Sequence, residues 1–380
     1  MVLKRKYFAT TCSLVSLIAT GCAAPEVAPS GAGDEVQNVI VMVADGAGVE
    51  YWTAARLAAD SLAVDAMPVG GLVDTRSTES HVTDSAAGAT AYATGERSYN
   101  GAISVSVECL EMMRTDSVAV ANDPASCAPM RNLFEVANEQ GMATGLVTTT
   151  RITDATPAAF GAHAAERGMQ AAIAEQLIAN DIDVLLGAGR GLFDGTERDD
   201  GRDLLAGVCP EAACISTASE LAAYSPDDRR LIGLFPREDL HAAATRQPSL
   251  PQMVATALQK LEMDPDGFVA MFESEGTDEV GHGNAPVGEL IAEILQFDDA
   301  VGVALDYARN NPGTLLVVLA DHETGGLAVG LEADTATAEY TTGGHTAAMV
   351  PLFAYGPGAE RFGGMVANFE VGRLLQDALR

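Results

Sequence analysis

The chain has 380 residues, of which 48% are hydrophobic and 20% are charged, a balance typical of globular proteins and unlike that of collagen-like, disordered or coiled-coil chains. Its 53 Asp and Glu residues outnumber its 22 Lys and Arg residues, which gives a formal net charge of -31. Most of the surface therefore repels nucleic acid and anionic lipid, and an anionic ligand has to be captured at a local positive centre.

The N-terminal segment has the features of an export signal. Basic residues 4–6 precede an apolar stretch over residues 7–19, which is too short to span a membrane. Small residues then lead to Cys22, as in the cleavage box of a bacterial lipoprotein. We therefore interpret residues 1–21 as a signal peptide and residues 22–35 as a lipidated Cys22 with a flexible tether. This predicts a periplasmic or cell-surface protein that contacts a membrane only through its lipid, and the alternative is ordinary signal cleavage with Cys22 incidental.

Four further cysteines would remain in an oxidising compartment once Cys12 is removed with the signal. An even number of cysteines in such a compartment predicts two disulfide bonds. Three pairings are possible, and the local pairing of Cys109 with Cys127 and of Cys209 with Cys214 is the least demanding geometrically. No CxxC pair is present, so a thiolate zinc site is not expected.

Short apolar runs alternate with helix-like segments through the rest of the chain. Six runs lack the polar alternation of a half-exposed strand, namely residues 39–44, 144–147, 184–186, 268–272, 315–320 and 352–354. Four segments between them have the apolar spacing of amphipathic helices, namely residues 133–140, 170–178, 253–261 and 291–308. Unbroken apolar runs are typical of strands buried on both faces. The pattern predicts an α/β fold, with a central, mostly parallel sheet flanked by helices on both faces.

Acidic residues follow four of the predicted strands. Asp45, Glu273 and Asp321 come directly after their apolar runs, and residues 148–150 lead toward Asp154 and Thr156. In open α/β sheets, ligands bind beyond the carboxyl ends of the strands. Each carboxylate alone is better explained as a helix cap or turn residue. Four strands that end in this way indicate one shared cluster, and because crowded carboxylates repel each other, the cluster predicts bound cations.

Three of the six histidines lie near these acids or in a glycine-rich loop. His322 follows Asp321, His282 lies four residues after Asp278, and His345 is preceded by two glycines. Mixed imidazole and carboxylate ligands suit Zn²⁺, whereas carboxylates with a hydroxyl suit Mg²⁺. A structural role is the default interpretation for the other three, His81, His163 and His241.

An alanine-rich stretch over residues 82–95 favours a helix that begins near Ser85 and ends at Gly95. The free N–H groups and the dipole at the start of a helix stabilise an alkoxide and a bound phosphate, which makes Ser85 a candidate nucleophile. The alternative is that Ser85 only caps the helix. No GxSxG motif is present, so activation of the hydroxyl by metal is favoured over activation by a histidine base.

Taken together, these motifs resemble the alkaline phosphatases, a family of metal-dependent phosphomonoesterases. The likeness runs in order through residues 38–46 (NVIVMVADG), 83–91 (TDSAAGATA), 99–103 (YNGAI), 153–159 (TDATPAA), 320–326 (ADHETGG) and 343–346 (GGHT). The resemblance implies that residues 36–380 form a catalytic domain that hydrolyses small phosphomonoesters through a phosphoserine intermediate. It also implies two Zn²⁺ ions and one Mg²⁺ ion as cofactors, and it allows a homodimer. No nucleic-acid partner is expected.

The resemblance implies a role for each candidate residue. Ser85 would be the nucleophile, and Arg167, oriented by Asp84, would bind two phosphate oxygens. The implied ligands of the first zinc are Asp278, His282 and His345. The implied ligands of the second zinc are Asp45, Asp321 and His322. The implied residues of the magnesium site are Asp45, Thr156 and Glu273, with Asp154 acting through water. For Arg167, the alternative is an exposed helix charge paired with a neighbour such as Glu166.

Two acidic positions distinguish this chain within the family. Relatives carry Asp or His where Asp154 stands, and Asp favours Mg²⁺ over Zn²⁺ at the third site. Glu279 occupies a position where many relatives have Trp, His or Lys, and a carboxylate facing the pocket would weaken phosphate binding. Residues 106–129 and 194–248 are insertions that we expect to influence substrate preference. The competing functions are a phosphodiesterase of the same superfamily and an inactive surface lipoprotein that binds phosphate or metal.

Overall fold

The computed structural model describes residues 35–122, 127–235, 240, 242–333 and 335–380. Its strands are β1 (Asn38–Ala44), β2 (Val69–Asp74), β3 (Ala143–Arg151), β4 (Val184–Ala188), β5 (Ala213–Ile215), β6 (Leu231–Leu234), β7 (Phe268–Ser274), β8 (Thr314–Leu319), β9 (Glu323–Thr324), β10 (Leu327–Glu332), β11 (Thr335–Tyr340), β12 (His345–Thr346), β13 (Val350–Tyr355) and β14 (Gly364–Ala367). Its helices are α1 (Val49–Ala58), α2 (Ser85–Thr94), α3 (Glu108–Asn122), α4 (Leu133–Asn138), α5 (Ala155–Gly161), α6 (Gln170–Ala179), α7 (Gly191–Asp194), α8 (Leu205–Val208), α9 (Ala218–Ala223), α10 (Leu250–Leu261), α11 (Gly276–His282), α12 (Val287–Asn310) and α13 (Asn368–Ala378).

Ten of these strands form one sheet, in the order β14-β2-β13-β8-β1-β7-β3-β4-β6-β5. Neighbouring strands are parallel except around β13, which is antiparallel to both β2 and β8. The predicted mostly parallel α/β fold is therefore confirmed, and all six predicted strands are present. The run over residues 352–354 lies in the strand that runs the opposite way.

Helices cover both faces of the sheet. Every residue of β1, β7 and β8 is buried, which requires cover on both sides of a pleated strand. One group of helices consists of α1, α10 and α12, and a second group consists of α2, α4, α5 and α13. The four predicted helices correspond to α4, α6, α10 and α12. Their apolar faces supply much of the buried core.

The register of the central strands places the acidic residues together. Val43 of β1 lies opposite Glu273 of β7 on one side and opposite Leu319 of β8 on the other. Asp45 and Asp321 lie two residues further along the chain, just beyond the ends of β1 and β8, and they are therefore at the same edge of the sheet. The carboxyl ends of three adjacent parallel strands thus meet at one place, as the sequence predicts.

Both predicted disulfide bonds are present. Cys109, in α3, is bonded to Cys127 with a Cα–Cα distance of 5.0 Å. Cys209 is bonded to Cys214 at 5.4 Å, which closes a short segment between α8 and β5. The local pairing is confirmed. The signal peptide, Cys22 and His241 lie outside the described residues.

Candidate metal centre

The edge of the sheet holds three carboxylates that each have one oxygen without a hydrogen-bond partner among the described residues. Asp45, Glu273 and Asp321 are each 0% exposed. Among the described residues, nothing forms a hydrogen bond with Asp45 Oδ1, Glu273 Oε1 or Asp321 Oδ2. A buried polar group without a partner costs about 1–3 kcal/mol, and more when it is charged. Burial and the neighbouring carboxylate of Asp321 raise the pKa of Asp45 well above its usual value. This donor set fits cations, which would satisfy the oxygens and cancel their repulsion.

The first group of potential ligands consists of Asp278, His282 and His345. Asp278 and His282 lie one turn apart on α11, with 3.1 Å between Oδ2 and Nε2. The Nε2 atoms of His282 and His345 are also 3.1 Å apart. Their Nδ1 atoms lie 2.8 Å from the carbonyl of Gly343 and 2.9 Å from that of Thr83, respectively. These carbonyls accept the Nδ1 protons, so either a proton or a metal ion has to lie among the two Nε2 atoms and the carboxylate.

The pKa values in this group also fit a competition between a proton and a metal ion for the same place. The hydrogen bond to Asp278 raises the pKa of His282 to about 9. Burial alone would raise the pKa of Asp278, but hydrogen bonding to His282 and to Thr324 lowers it to about 2. Asp278 and His282 therefore form an ionised pair without metal. A metal ion would displace the imidazole proton, so its binding releases a proton.

The second group is built around His322. Its Nε2 lies 3.4 Å from Asp45 Oδ1 and 3.3 Å from Asp321 Oδ2. Its Nδ1 lies 3.1 Å from Thr324 Oγ1, which itself donates a hydrogen bond to Asp278 Oδ1. Because the single hydroxyl proton of Thr324 goes to Asp278, the hydroxyl oxygen accepts from Nδ1–H of His322. The Nε2 lone pair of His322 is then directed toward the two carboxylates, as a metal ligand requires.

The two groups share Asp278. Asp278 also lies within ligand distance of Asp45 and His322, and the rings of His322 and His345 stack at 3.5 Å. Antiparallel pairing of β9 with β12 sets His345 opposite Thr324. All six residues expected at the two zinc sites are therefore brought together, with Asp278 between the sites.

Ser85 begins α2, as the sequence predicts, and Gly95 ends that helix with a φ of 73°. The helix is capped by Asp84, whose Oδ1 accepts from the Ala87 N–H at 3.0 Å. Ser85 is therefore not the capping residue. Its side chain is buried, and its Oγ lies 3.2 Å from Nε2 of His322. The hydroxyl thus lies where the second group meets the positive end of a helix dipole.

Arg167 is held by two aspartates. Its Nη2 donates to Asp154 Oδ1 at 2.8 Å, and its Nη1 donates to Asp84 Oδ2 at 3.4 Å. Burial favours the neutral guanidine, but the charges of these carboxylates outweigh it and raise the pKa of Arg167. The described salt bridges of Arg167 involve Asp84 and Asp154 and not Glu166. The guanidinium is therefore part of the cluster and not an isolated surface charge.

The third group consists of Asp45, Glu273 and Glu275. Thr156 Oγ1 lies 3.4 Å from Asp45 Oδ2, and Thr148 Oγ1 donates to Glu273 Oε2 at 2.5 Å. Burial is the main cause that raises the pKa of Glu273 to about 8. This set offers oxygen ligands, whereas the other two groups also contain imidazole.

Sequence reasoning missed Glu275 at this group. The available signal was its position, because Glu275 lies just beyond the carboxyl end of β7, two residues after Glu273, and ligands of an open α/β sheet bind at that edge. Asp154 is tied to Arg167 and also accepts from the Ala155 N–H at 2.7 Å. Glu279 is exposed on α11, and its effect on phosphate binding stays a prediction.

Comparison with known proteins agrees with this geometry. The family model described as Alkaline phosphatase matches residues 36–335. Alkaline phosphatase 3 of Bacillus subtilis (strain 168) is 31% identical, covering 92% of this chain and 90% of its own length. Streptomycin-6-phosphate phosphatase of Streptomyces griseus is 32% identical, covering 94% of this chain and 93% of its own length.

Solved structures give the same result. The alkaline phosphatase of the Antarctic bacterium TAB5 superposes with a TM-score of 0.79 and 30% identity, covering 91% of this chain and 98% of that one. A histidine-to-aspartate variant of the TAB5 enzyme, which has Mg bound in its M3 site, superposes with a TM-score of 0.77 and 30% identity over the same shares of the two chains.

Proposed function

This chain belongs to the alkaline phosphatase family, and on that premise we propose that it hydrolyses phosphate monoesters through a phosphoserine formed on Ser85. The observation that carries the proposal is the position of the Ser85 hydroxyl. It lies 3.2 Å from His322 Nε2 at the start of α2, beside buried carboxylate oxygens that lack partners. A nucleophile, a positive helix end and a set of metal ligands are the parts that phosphoryl transfer needs.

The donor sets support two Zn²⁺ ions and one Mg²⁺ ion. Asp278, His282 and His345 would hold the first zinc, and this set mixes imidazole with carboxylate. The second zinc would be held by Asp45, Asp321 and His322. Magnesium would be held by Asp45, Thr156 and Glu273, with Asp154 acting through water. When bound, the zinc ions would neutralise the entering and leaving oxygens and lower the pKa of a bound hydroxyl.

The residues of the chain have separate tasks in this reaction. The free N–H groups at the start of α2 stabilise negative charge on Ser85 Oγ and on the bound phosphate. Arg167 offers a planar pair of donors to two phosphate oxygens, which a lysine could not match. Asp84 and Asp154 orient that guanidinium through salt bridges. Catalysis then depends mainly on position and charge, because little covalent chemistry is asked of the protein.

The reaction proceeds in two displacements. Ser85 Oγ gives its proton to solvent water and attacks phosphorus, which forms the Oγ–P bond and breaks the bond to the ester oxygen. That oxygen takes a proton from water and leaves as the alcohol. Water then attacks phosphorus and breaks the Oγ–P bond, so that inorganic phosphate leaves and the Ser85 hydroxyl is restored. Two in-line displacements give net retention at phosphorus.

We also propose that the protein acts outside the cytoplasm. The support is the sequence of residues 1–21 and the lipoprotein box at Cys22, together with the two disulfide bonds, which are typical of oxidising compartments. Residues 36–380 would then be the catalytic domain, tethered through residues 22–35. In the described part of the chain, no helix combines the length and apolar character needed to cross a membrane.

Turnover of p-nitrophenyl phosphate and of bis-p-nitrophenyl phosphate, with and without Zn²⁺ and Mg²⁺, tests the proposal. We expect metal-dependent hydrolysis of the monoester, acid-stable phosphate on Ser85 after rapid quench, and loss of most activity in Ser85→Ala with its zinc content kept. Preference for the diester would identify a phosphodiesterase. Metal binding without turnover of either ester would identify an inactive binding protein. Label on another residue would overturn the mechanism.

A further inference from the structure

We propose that Glu275 is an additional carboxylate ligand at the third metal site and increases the affinity of that site for Mg²⁺. The inference rests on the proposed function, because it concerns an ion of the same centre. It starts from the position of Glu275, which follows β7 and immediately precedes α11. The backbone N–H of Glu275 donates to Thr149 Oγ1 at 3.0 Å. That bond ties the residue to the neighbouring strand β3.

The ligand atoms lie close enough to share one ion. One oxygen each from Asp45, Glu273 and Glu275 lies within 4.8 Å of the others. Oxygens on opposite sides of a bound ion are separated by about 4 Å for Mg²⁺ and about 5 Å for Ca²⁺, from metal–oxygen distances of about 2.1 and 2.4 Å. Small side-chain adjustments would therefore bring all three carboxylates onto one cation.

Glu273 has a ligand atom available at this site. Its Oε1 is buried and lacks a hydrogen-bond partner among the described residues, and Asp45 in the same group is also 0% exposed. Glu275 adds a third negative charge to this place. Among the described residues, no salt bridge involves the Glu275 carboxylate, and the nearby arginines Arg167 and Arg246 pair with other acids. A cation shared by the three carboxylates resolves this repulsion.

The chemistry of the set selects the type of ion. Three carboxylates and the Thr156 hydroxyl are hard oxygen ligands, which favour Mg²⁺, Mn²⁺ or Ca²⁺ over zinc. The number of charged ligands tunes the affinity of an oxygen-based cation site. Glu275 would replace one of the waters that Mg²⁺ usually keeps. The site would then retain Mg²⁺ at lower free concentrations than it does without this residue.

The test measures Mg²⁺ binding and not turnover. The full mature chain, loaded with zinc and freed of magnesium, is titrated with MgCl₂ by isothermal titration calorimetry in the absence of phosphate. We expect Glu275→Gln to weaken Mg²⁺ binding by about 10- to 100-fold, the range seen when groups that support a metal site are removed. Glu275→Ala should weaken it at least as much. Glu289→Gln, an exposed glutamate of α12, is the matched control and should leave the affinity unchanged.

Zinc content by mass spectrometry and thermal unfolding show that each variant is folded and loaded. An affinity in Glu275→Gln and Glu275→Ala within twofold of the parent would overturn the proposal. So would an equal loss in Glu289→Gln, because overall charge would then explain the effect. Failure of the proposed function is seen separately, as absence of phosphoserine in a parent protein whose Mg²⁺ affinity still depends on Glu275.

Discussion

Replacing Thr324 with valine should weaken both proposed zinc sites at once. The Thr324 hydroxyl donates to Asp278 and accepts from Nδ1–H of His322, so it connects a ligand of the first group with a ligand of the second. Thr324 is 0% exposed, and valine keeps its branched shape while removing the hydroxyl. The packing is therefore preserved, and the change is confined to two hydrogen bonds.

The magnitude follows from those two bonds. A hydrogen bond to a charged group contributes about 1.5–3 kcal/mol, and the orphaned N–H of His322 costs about 1–3 kcal/mol more. Loss of a group that orients metal ligands typically lowers metal affinity by about 10- to 100-fold. We expect a loss in that range for Thr324→Val, with activity recovering when zinc is present in excess.

Zinc retention during dialysis against a chelator of known affinity measures this effect. Thr324→Ser is the control, because it keeps the hydroxyl and removes only the methyl group that packs near Gly281. Equal zinc retention in the parent and in Thr324→Val would refute the reasoning. Equal loss in the serine and valine variants would refute it as well, since packing and not hydrogen bonding would then be responsible.

Three further predictions concern other contacts of the described residues. In denaturant titrations, Asp84→Ala should lower the free energy of unfolding by about 1–2 kcal/mol through loss of the α2 cap, whereas Asp84→Asn should keep most of that stability. Both variants should raise KM by about fivefold or less, because the 3.4 Å pair with Arg167 is worth at most about 1 kcal/mol. Asp154→His should shift the third site toward zinc in metal analysis, and it should also raise KM by removing the 2.8 Å partner of Arg167. Burial lowers the pKa of His163, but hydrogen bonds to Glu135 and to a backbone carbonyl outweigh it and leave the pKa raised. Protonated His163 therefore stabilises the fold fully below the unfolded pKa of about 6.5, and this stabilisation is lost as the pH rises through the folded pKa. His163→Gln should therefore lower Tm by on the order of 1–2 °C more at pH 5.5 than at pH 9, and an equal change at the two pH values would contradict the assignment.

The central strands were predictable because burial on both faces leaves an unbroken apolar run. Residues 39–44 and 268–272 correspond closely to β1 and β7, and the acids that follow them lie at one edge because parallel strands end on the same side. The direction of β13 was not predictable, because an apolar run reads the same for parallel and antiparallel strands. β2 was missed because it is half-exposed and contains two glycines.

The contacts that orient the ligands were less visible in the sequence than the ligands themselves. Asp278, His282 and His322 stand out by type and spacing. Thr324 does not, because its role depends on α11 and β9 meeting across more than forty residues of chain. Glu275 was missed for a similar reason, since its neighbours in the third group come from two different strands. Residue type identifies candidate ligands, whereas strand register and loop packing decide which of them share an ion.

The charge balance of the cluster explains why metal ions are required for an anionic substrate. Arg167 is a local positive centre of the kind that the net charge of -31 demands, but its charge is already matched by Asp84 and Asp154. Five further carboxylates lie in the three ligand groups or beside them, namely Asp45, Glu273, Glu275, Asp278 and Asp321. The His282 imidazolium is charged as well, but it is already paired with Asp278. Among the described residues, the metal-free site therefore offers a phosphate dianion no unpaired positive charge, and the same carboxylates that hold divalent cations make substrate binding depend on those cations.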